Sequence, residues 1–150
     1  MFSGLREMKG SANRKMCRTL VVEDNSAFRE SLIGMLEGHF STLVIEKAVS
    51  SEEALLKLSR FSPELIFVDI QLPGLNGLQL SKILRSKCEK AVIVVLTNHD
   101  TPEYRQAATQ CGANFFISKD GSSVDEILDV VGSVVNRSRT SPAHVIVDSR

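Results

Sequence analysis

Five residues with chemically useful side chains stand at or next to the ends of short apolar runs in this sequence of 150 residues. Asp69 follows LIFV directly, and the adjacent acids Glu23 and Asp24 follow TLVV. Thr97 follows AVIVVL, and Lys119 comes two residues after ANFFI. Apolar runs bounded by polar and turn residues are typical of strands that are buried on both faces. In a parallel sheet the carboxyl ends of all strands share one edge, so we expect these five residues to converge there.

Three converging carboxylates repel one another and need a positive counter-charge. A hard divalent cation with oxygen ligands supplies it, and Mg²⁺ suits a site of carboxylates, phosphate and water. A carboxylate beside a metal ion and a lysine can act as a nucleophile in aspartyl-phosphate chemistry. In phosphoryl transfer the protein mainly positions groups and neutralises charge, which Mg²⁺, Lys119 and the Thr97 hydroxyl can do. The pattern therefore predicts a phosphoryl-accepting carboxylate at Asp69.

Strands alternate with helices along the whole predicted domain. Helix caps are expected at Asn25 or Ser26, and at Ser50, Asn76, Thr101 and Ser122, with Pro73-Gly74 forming a turn. The predicted strands are 19–22, 42–49, 65–69, 91–96 and 113–117. A helix follows each strand. The second helix is predicted to end at Pro63, the third to span 77–87, and the fourth to run from 102 to about 111. This alternation predicts an α/β domain with a parallel sheet and helices on both faces.

Composition and charge limit the class of protein. The formal net charge is zero, so no overall field favours nucleic acid or membrane. Three widely spaced cysteines show no metal-ligand spacing, and no apolar run reaches the about 18 residues of a membrane span. We therefore expect a reduced, cytoplasmic protein. Residues 1–17 are predicted to be a flexible N-terminal tail, 18–136 the folded domain, and 137–150 a C-terminal linker or tail in which HVIV could form a short strand.

The sequence resembles the receiver domain of bacterial two-component response regulators. The resemblance rests on the acids after the first strand, on DIQLPGLNG beginning at Asp69, on Leu96-Thr97, and on GANFFISK ending at Lys119. It implies a flavodoxin-like (CheY-like) three-layer fold with five parallel strands in the order 2-1-3-4-5.

The resemblance also implies a role for each matching residue. Asp69 corresponds to the phosphoacceptor, and Thr97 and Lys119 to the residues that contact the phosphoryl group. Phe116 corresponds to the switch aromatic, and Phe115 must point to the other side of the strand. The implied Mg²⁺ ligands are Glu23, Asp24, Asp69 and the backbone carbonyl of Gln71. We expect Lys119 to lie at a polar edge, where its replacement by alanine costs little stability.

The implied function is a signalling switch. A sensor histidine kinase or phosphotransfer protein would phosphorylate Asp69, and the fourth helix, fifth strand and fifth helix would present the changed face. The thin apolar side of the fourth helix, Ala107, Ala108 and Cys111, favours its movement. The resemblance allows a homodimer and implies a switch rather than a turnover enzyme. It allows DNA binding only through an output domain, which the 150 residues of this sequence do not include. The sequence fits either a stand-alone receiver or a chain that stops in an interdomain linker.

Three alternatives compete with this interpretation. An aspartate-nucleophile phosphatase would need a second aspartate at position 71, which is Gln71. A flavodoxin-like cofactor binder would need a phosphate-binding loop after the first strand, where VVEDNS instead places acids. A phosphorylation-independent pseudo-receiver, acting as a protein-binding module, remains open because Asn98 follows Thr97 where the family usually has a smaller residue.

Overall fold

The computed structural model describes residues 15–139 and shows five strands alternating with five helices in that range. A short 3₁₀ turn, Gly121–Ser123, precedes the last helix. In chain order the elements are β1 Cys17–Val22, α1 Ser26–His39, β2 Leu43–Ala48, α2 Ser51–Lys57, β3 Leu65–Asp69, α3 Gly77–Lys87, β4 Val92–Thr97, α4 Pro102–Gln110, β5 Phe115–Ser118 and α5 Val124–Arg139. The alternation agrees with the sequence prediction.

The strands form a single parallel sheet in the order β2-β1-β3-β4-β5, which confirms the predicted fold class. Val22 is in register with Val68, and Asp69 with Leu96. Because every pair is parallel, the carboxyl ends of the strands lie along one edge of the sheet. β3 and β4, the strands that carry Asp69 and Thr97, are buried along their whole length. The strand order therefore brings Asp69, Thr97 and the acids after β1 together.

Apolar residues cover both faces of the sheet. Alternate strand residues contribute to two separate core clusters, as the pleat of a strand requires. Phe67 belongs to the cluster that packs against α1 and α5, while Ile66 and Val68 belong to the cluster that packs against α3 and α4. Burial on both faces explains why the central strands have continuous apolar sequences rather than alternating ones.

Four of the predicted helix caps are present. The side chains of Asn25, Ser50, Asn76 and Thr101 accept hydrogen bonds from backbone N–H groups in the first turns of α1, α2, α3 and α4. The predicted cap at Ser122 is wrong. The carboxylate of Asp120 instead accepts the Ser122 N–H group, which caps the 3₁₀ turn, and α5 begins after it.

The bounds of β2, β4 and β5 differ from prediction by one or two residues, and those of β1, α2 and α5 differ for identifiable reasons. β1 begins at Cys17, which was assigned to the tail, because this buried side chain belongs to the core and its N–H group bonds to Thr42. α2 ends at Lys57 rather than near Pro63, because the next three residues form the tighter i→i+3 bonds of consecutive turns. α5 continues to Arg139, beyond the expected end of the pattern at Asn136.

The remaining tail predictions, including the short strand at HVIV, lie outside the described residues. Among residues 15–139, none of the helices combines the length and the apolar character that a membrane span needs.

Candidate functional site

An acidic cluster lies where β1 and β3 end. Glu23, Asp24 and Asp69 each offer a carboxylate oxygen, and these oxygens lie within 4.8 Å of one another. Glu23 and Asp69 are buried, whereas Asp24 is exposed. The cluster forms because β1 and β3 are neighbouring parallel strands in which Val22 pairs with Val68, so that Glu23 and Asp69 are the next residues on the two strands. The sequence prediction that these three acids converge is therefore correct.

Glu23 is fully buried, with a relative exposure of 0%. Its Oε2 atom accepts a hydrogen bond of 3.1 Å from the N–H group of Asn25. Its Oε1 atom has no hydrogen bond of normal geometry within the described chain, although it lies in an ion pair with Lys119. Burial raises the pKa of the Glu23 carboxyl above its usual range, and the ion pair with Lys119 opposes that rise. Glu23 thus has one oxygen that a further positive group could satisfy.

Lys119 bridges two of the acids. Its Nζ atom lies 2.9 Å from Glu23 Oε1 and 3.6 Å from Asp69 Oδ2, and it also lies 4.5 Å from the centroid of the Phe28 ring. The Lys119 side chain is only 7% exposed. Lys119 thus lies at the polar edge of the sheet, as expected, but it is largely buried there because the Phe28 ring of α1 lies against its ammonium group.

The backbone after β3 holds Asp69 in place. The N–H group of Gln71 donates a hydrogen bond of 3.2 Å to Asp69 Oδ1. The chain then turns through Pro73-Gly74, where Gly74 has a positive φ of 75°, and returns so that the Gly77 N–H group bonds to the Ile70 carbonyl at 2.7 Å. A Cβ atom at Gly77 would lie 2.1 Å from the backbone oxygen of Asp69. Only glycine allows α3 to begin this close to the proposed phosphoacceptor.

Thr97 and Phe116 lie on the adjacent strands. Thr97 is buried at the end of β4, and its hydroxyl oxygen accepts a hydrogen bond of 2.8 Å from the N–H group of His99. Phe116 is buried in the cluster with Ala108, while Phe115 is partly exposed and lies on the opposite side of β5. The prediction that the two phenylalanines have different roles is consistent with these positions.

Sequence reasoning missed two contacts of the site. Phe28 was assigned only to the apolar side of α1, but its ring also contacts the Lys119 ammonium group. Arg29 was not considered, and its Nη1 atom donates a hydrogen bond of 2.9 Å to the backbone oxygen of Glu23. The sequence does place Phe28 and Arg29 near the start of the helix that follows the acids, and this position could have indicated that they contact the site.

The donor set of the cluster fits a hard cation. Its ligand atoms are carboxylate oxygens, which are the ligands that Mg²⁺ prefers, and the buried Glu23 Oε1 has an ion pair with Lys119 but no hydrogen bond of normal geometry. Lys119 provides a positive charge beside the acids. This arrangement can bind a divalent cation and present Asp69 as a nucleophile.

Comparison with known proteins agrees with this chemistry. Residues 19–131 match the response regulator receiver domain family, and the chain belongs to that family. Its members are signalling switches whose standard function depends on phosphorylation. Among curated relatives, the response regulator MprA of Mycobacterium leprae is 32% identical over 84% of this chain, and the response regulator GacA of Pseudomonas protegens is 31% identical over 77%. This chain spans 54% of the length of each of these two relatives.

Solved structures have the same architecture. The response regulator TrrA from Thermotoga maritima, in complex with Mg²⁺-BeF, has a TM-score of 0.70 and 31% identity, covering 79% of this chain and 99% of that one. A CheY-like receiver domain protein from Methanospirillum hungatei has a TM-score of 0.73 and 22% identity, covering 83% of this chain and 97% of that one. The second likeness supports the fold alone.

Proposed function

We propose that Asp69 accepts a phosphoryl group and that Glu23, Asp24, Asp69 and the backbone carbonyl of Gln71 hold the Mg²⁺ ion that the reaction needs. The observation that supports this most directly is the cluster of three carboxylates with Lys119 between Glu23 and Asp69. When bound, Mg²⁺ supplies neutralisation of the charge on the transferring phosphoryl oxygens.

Each residue of the site has its own role in the proposed phosphoryl transfer. A carboxylate oxygen of Asp69 forms the new bond to phosphorus as the bond from phosphorus to the donor breaks, and the donor group departs with that electron pair. Lys119 moves from Glu23 toward the added charge at Asp69. The Thr97 hydroxyl, now bonded to His99, becomes a donor to a phosphoryl oxygen, and Phe116 follows that change as the switch aromatic.

The partners follow from this assignment. The phosphoryl donor would be a sensor histidine kinase or a phosphotransfer protein, and the reader of the switch would be a partner or a second copy. We propose that the receiver works in the cytoplasm as a switch rather than as a turnover enzyme. DNA would be contacted only through an output domain outside the described residues. The receiver itself would correspond to residues 18–136, extended by Cys17 and by the last turn of α5.

The test is the intact mass of the full chain after incubation with MgCl₂ and phosphoramidate, a small phosphodonor. We expect the wild type to gain the mass of one phosphoryl group, and Asp69→Asn to gain none. Asp129→Asn, which alters an exposed aspartate on α5, should behave as the wild type, and excess chelator should abolish the gain. Uptake by Asp69→Asn at the wild-type level would contradict the assignment. No uptake by the wild type would instead support the pseudo-receiver, which the intact cluster does not favour.

A further inference from the structure

The ring of Phe116 is covered by a cationic residue of α4. The guanidinium carbon of Arg105 lies 4.8 Å from the ring centroid, and the ring is only 7% exposed. Phenylalanine has no hydroxyl group that could anchor it by a hydrogen bond, so its position depends on packing and on contacts such as this cation–π interaction.

Arg105 is also tied to the loop between β4 and α4. Its Nη2 atom lies 2.9 Å from Asp100 Oδ1, and both side chains are about half exposed, at 53% and 43%. An exposed ion pair of this kind is weak, so it can form and break at modest cost. Arg105 therefore links Phe116 to the loop through two weak contacts, the cation–π contact with Phe116 and the ion pair with Asp100, and each can break at modest cost.

The same loop holds the hydroxyl group of Thr97. The N–H group that bonds to Thr97 Oγ1 belongs to His99, the residue immediately before Asp100. The His99 ring contacts the Tyr104 ring, with centroids 6.4 Å apart, in the first turn of α4. A continuous series of contacts thus runs from Thr97 through His99 and Asp100 to Arg105 and Phe116.

We propose that Arg105 is a positioning residue that stabilises the resting arrangement of the switch through this series of contacts. The proposal rests on the proposed function, because Thr97 is expected to leave His99 when a phosphoryl group is present on Asp69. Once the His99 bond breaks, the loop is free to carry Asp100 away from Arg105, and Phe116 loses its cover. Such linked contacts convert a small displacement at Thr97 into a discrete change at Phe116. Among the described residues, the Arg105 guanidinium group pairs with Asp100 and lies over Phe116, so it acts on the site through these residues.

The test compares three variants of the full chain by amide NMR. Arg105→Met removes the charge but keeps a straight apolar side chain, and Arg105→Lys keeps the charge. Gln106→Met introduces the same methionine at the neighbouring exposed position of α4 and is the matched control. Each variant is recorded without ligand and then during titration with beryllium fluoride at saturating Mg²⁺, where beryllium fluoride mimics a phosphoryl group on a carboxylate.

Without ligand, Arg105→Met should shift the amide resonances of His99 and Phe116, while Gln106→Met leaves both in place. In the titration, Arg105→Met should bind beryllium fluoride about two- to fivefold more tightly, the size expected of an exposed cation–π contact. Arg105→Lys, which keeps the charge but lacks the planar guanidinium group, should fall between the wild type and Arg105→Met in both measurements. The proposal is overturned if the His99 resonance of Arg105→Met is unchanged without ligand, or if its binding is unchanged while the wild type binds. A wild type that binds no beryllium fluoride counts against the proposed function alone, because the ligand-free spectra still decide the role of Arg105.

Discussion

Lys119 lies closer to Glu23, at 2.9 Å, than to Asp69, at 3.6 Å. A buried carboxylate loses several kcal/mol of hydration, and an ion pair offsets this only when its geometry is good. Removing one member of such a pair leaves the other charge buried without compensation, which costs more than the pair contributes. The Lys119–Glu23 pair is therefore a structural element of the protein, and not only a part of the proposed phosphoryl site.

We predict that Lys119→Met lowers the free energy of unfolding by about 3 kcal/mol in metal-free buffer. MgCl₂ should recover part of the loss, because a cation that binds only the native state stabilises it. Urea denaturation with and without MgCl₂ measures both effects. Lys82→Met, which alters an exposed lysine on α3, is the control and should change little. A loss for Lys119→Met no larger than that of the control would show that Glu23 needs no counter-charge.

The sequence was sufficient to predict which residues converge, but not how they pair. Asp69, Thr97 and Lys119 each end or follow an apolar run, and parallel pairing then requires that they meet at one edge. The preference of Lys119 for Glu23 depends on how deeply each carboxylate is buried and on where α1 places Phe28. Those positions follow from the packing of α1 on the sheet, which strand-end spacing does not encode.

The connection from β3 to α3 places a helix start against the proposed phosphoacceptor. The Gly77 N–H group bonds to the Ile70 carbonyl, and the Gly77 Cα faces the backbone oxygen of Asp69 at a distance that excludes a Cβ atom. Any side chain at this position must push α3 or the end of β3 away. The stability of α3 and the position of Asp69 therefore both depend on glycine at position 77.

Gly77→Ala should lower the free energy of unfolding by about 1–3 kcal/mol, as overpacking of a close contact does, and should slow phosphoryl uptake. The matched variant is Gly34→Ala in α1, where a Cβ atom meets nothing within 4 Å. That change should stabilise the protein by about 0.4–1 kcal/mol, because alanine restricts the unfolded chain and suits a helix interior. Urea denaturation and intact mass measure the two properties. Equal stability of the two variants would mean that α3 can move without cost.

The sequence correctly predicted where a helix begins when the side chain of the predicted residue caps that helix directly. Asn76 and Thr101 cap the helices that the sequence assigned to them. The prediction failed at Ser122, because the N–H and hydroxyl groups of Ser122 both donate to the Asp120 carboxylate, which therefore caps the turn in its place. Competition between neighbouring caps is decided by local backbone geometry, which a sequence pattern does not specify.

In the fold as a whole, the two ends of α4 differ in how strongly they contact the rest of the protein. Ala108 is its one buried residue, whereas α3 has four. Beyond its carboxyl end, the Gly112 carbonyl accepts hydrogen bonds of 3.1 and 2.9 Å from Arg85 Nε and Nη2, and Gly112 has a positive φ of 97°. Arg85 also bonds to the Asn114 side chain at the start of β5. At the amino end of α4, Tyr104 is only half-buried against the core and Arg105 is exposed, so we expect α4 to move about its more firmly held carboxyl end.

This difference predicts a gradient in hydrogen exchange along α4. Segments with few buried contacts open at low free energy, so amides near Arg105 should exchange faster than those near Gly112, and both faster than those of α3. Arg85→Lys should remove the gradient by raising exchange near Gly112, because lysine lacks the planar fork that holds several carbonyls at once. Hydrogen exchange followed by NMR on the wild type and Arg85→Lys makes this comparison, with the α3 amides as internal reference. Uniform protection along α4 in the wild type would show that the helix moves as one unit or not at all, and that Arg85 does not define its pivot.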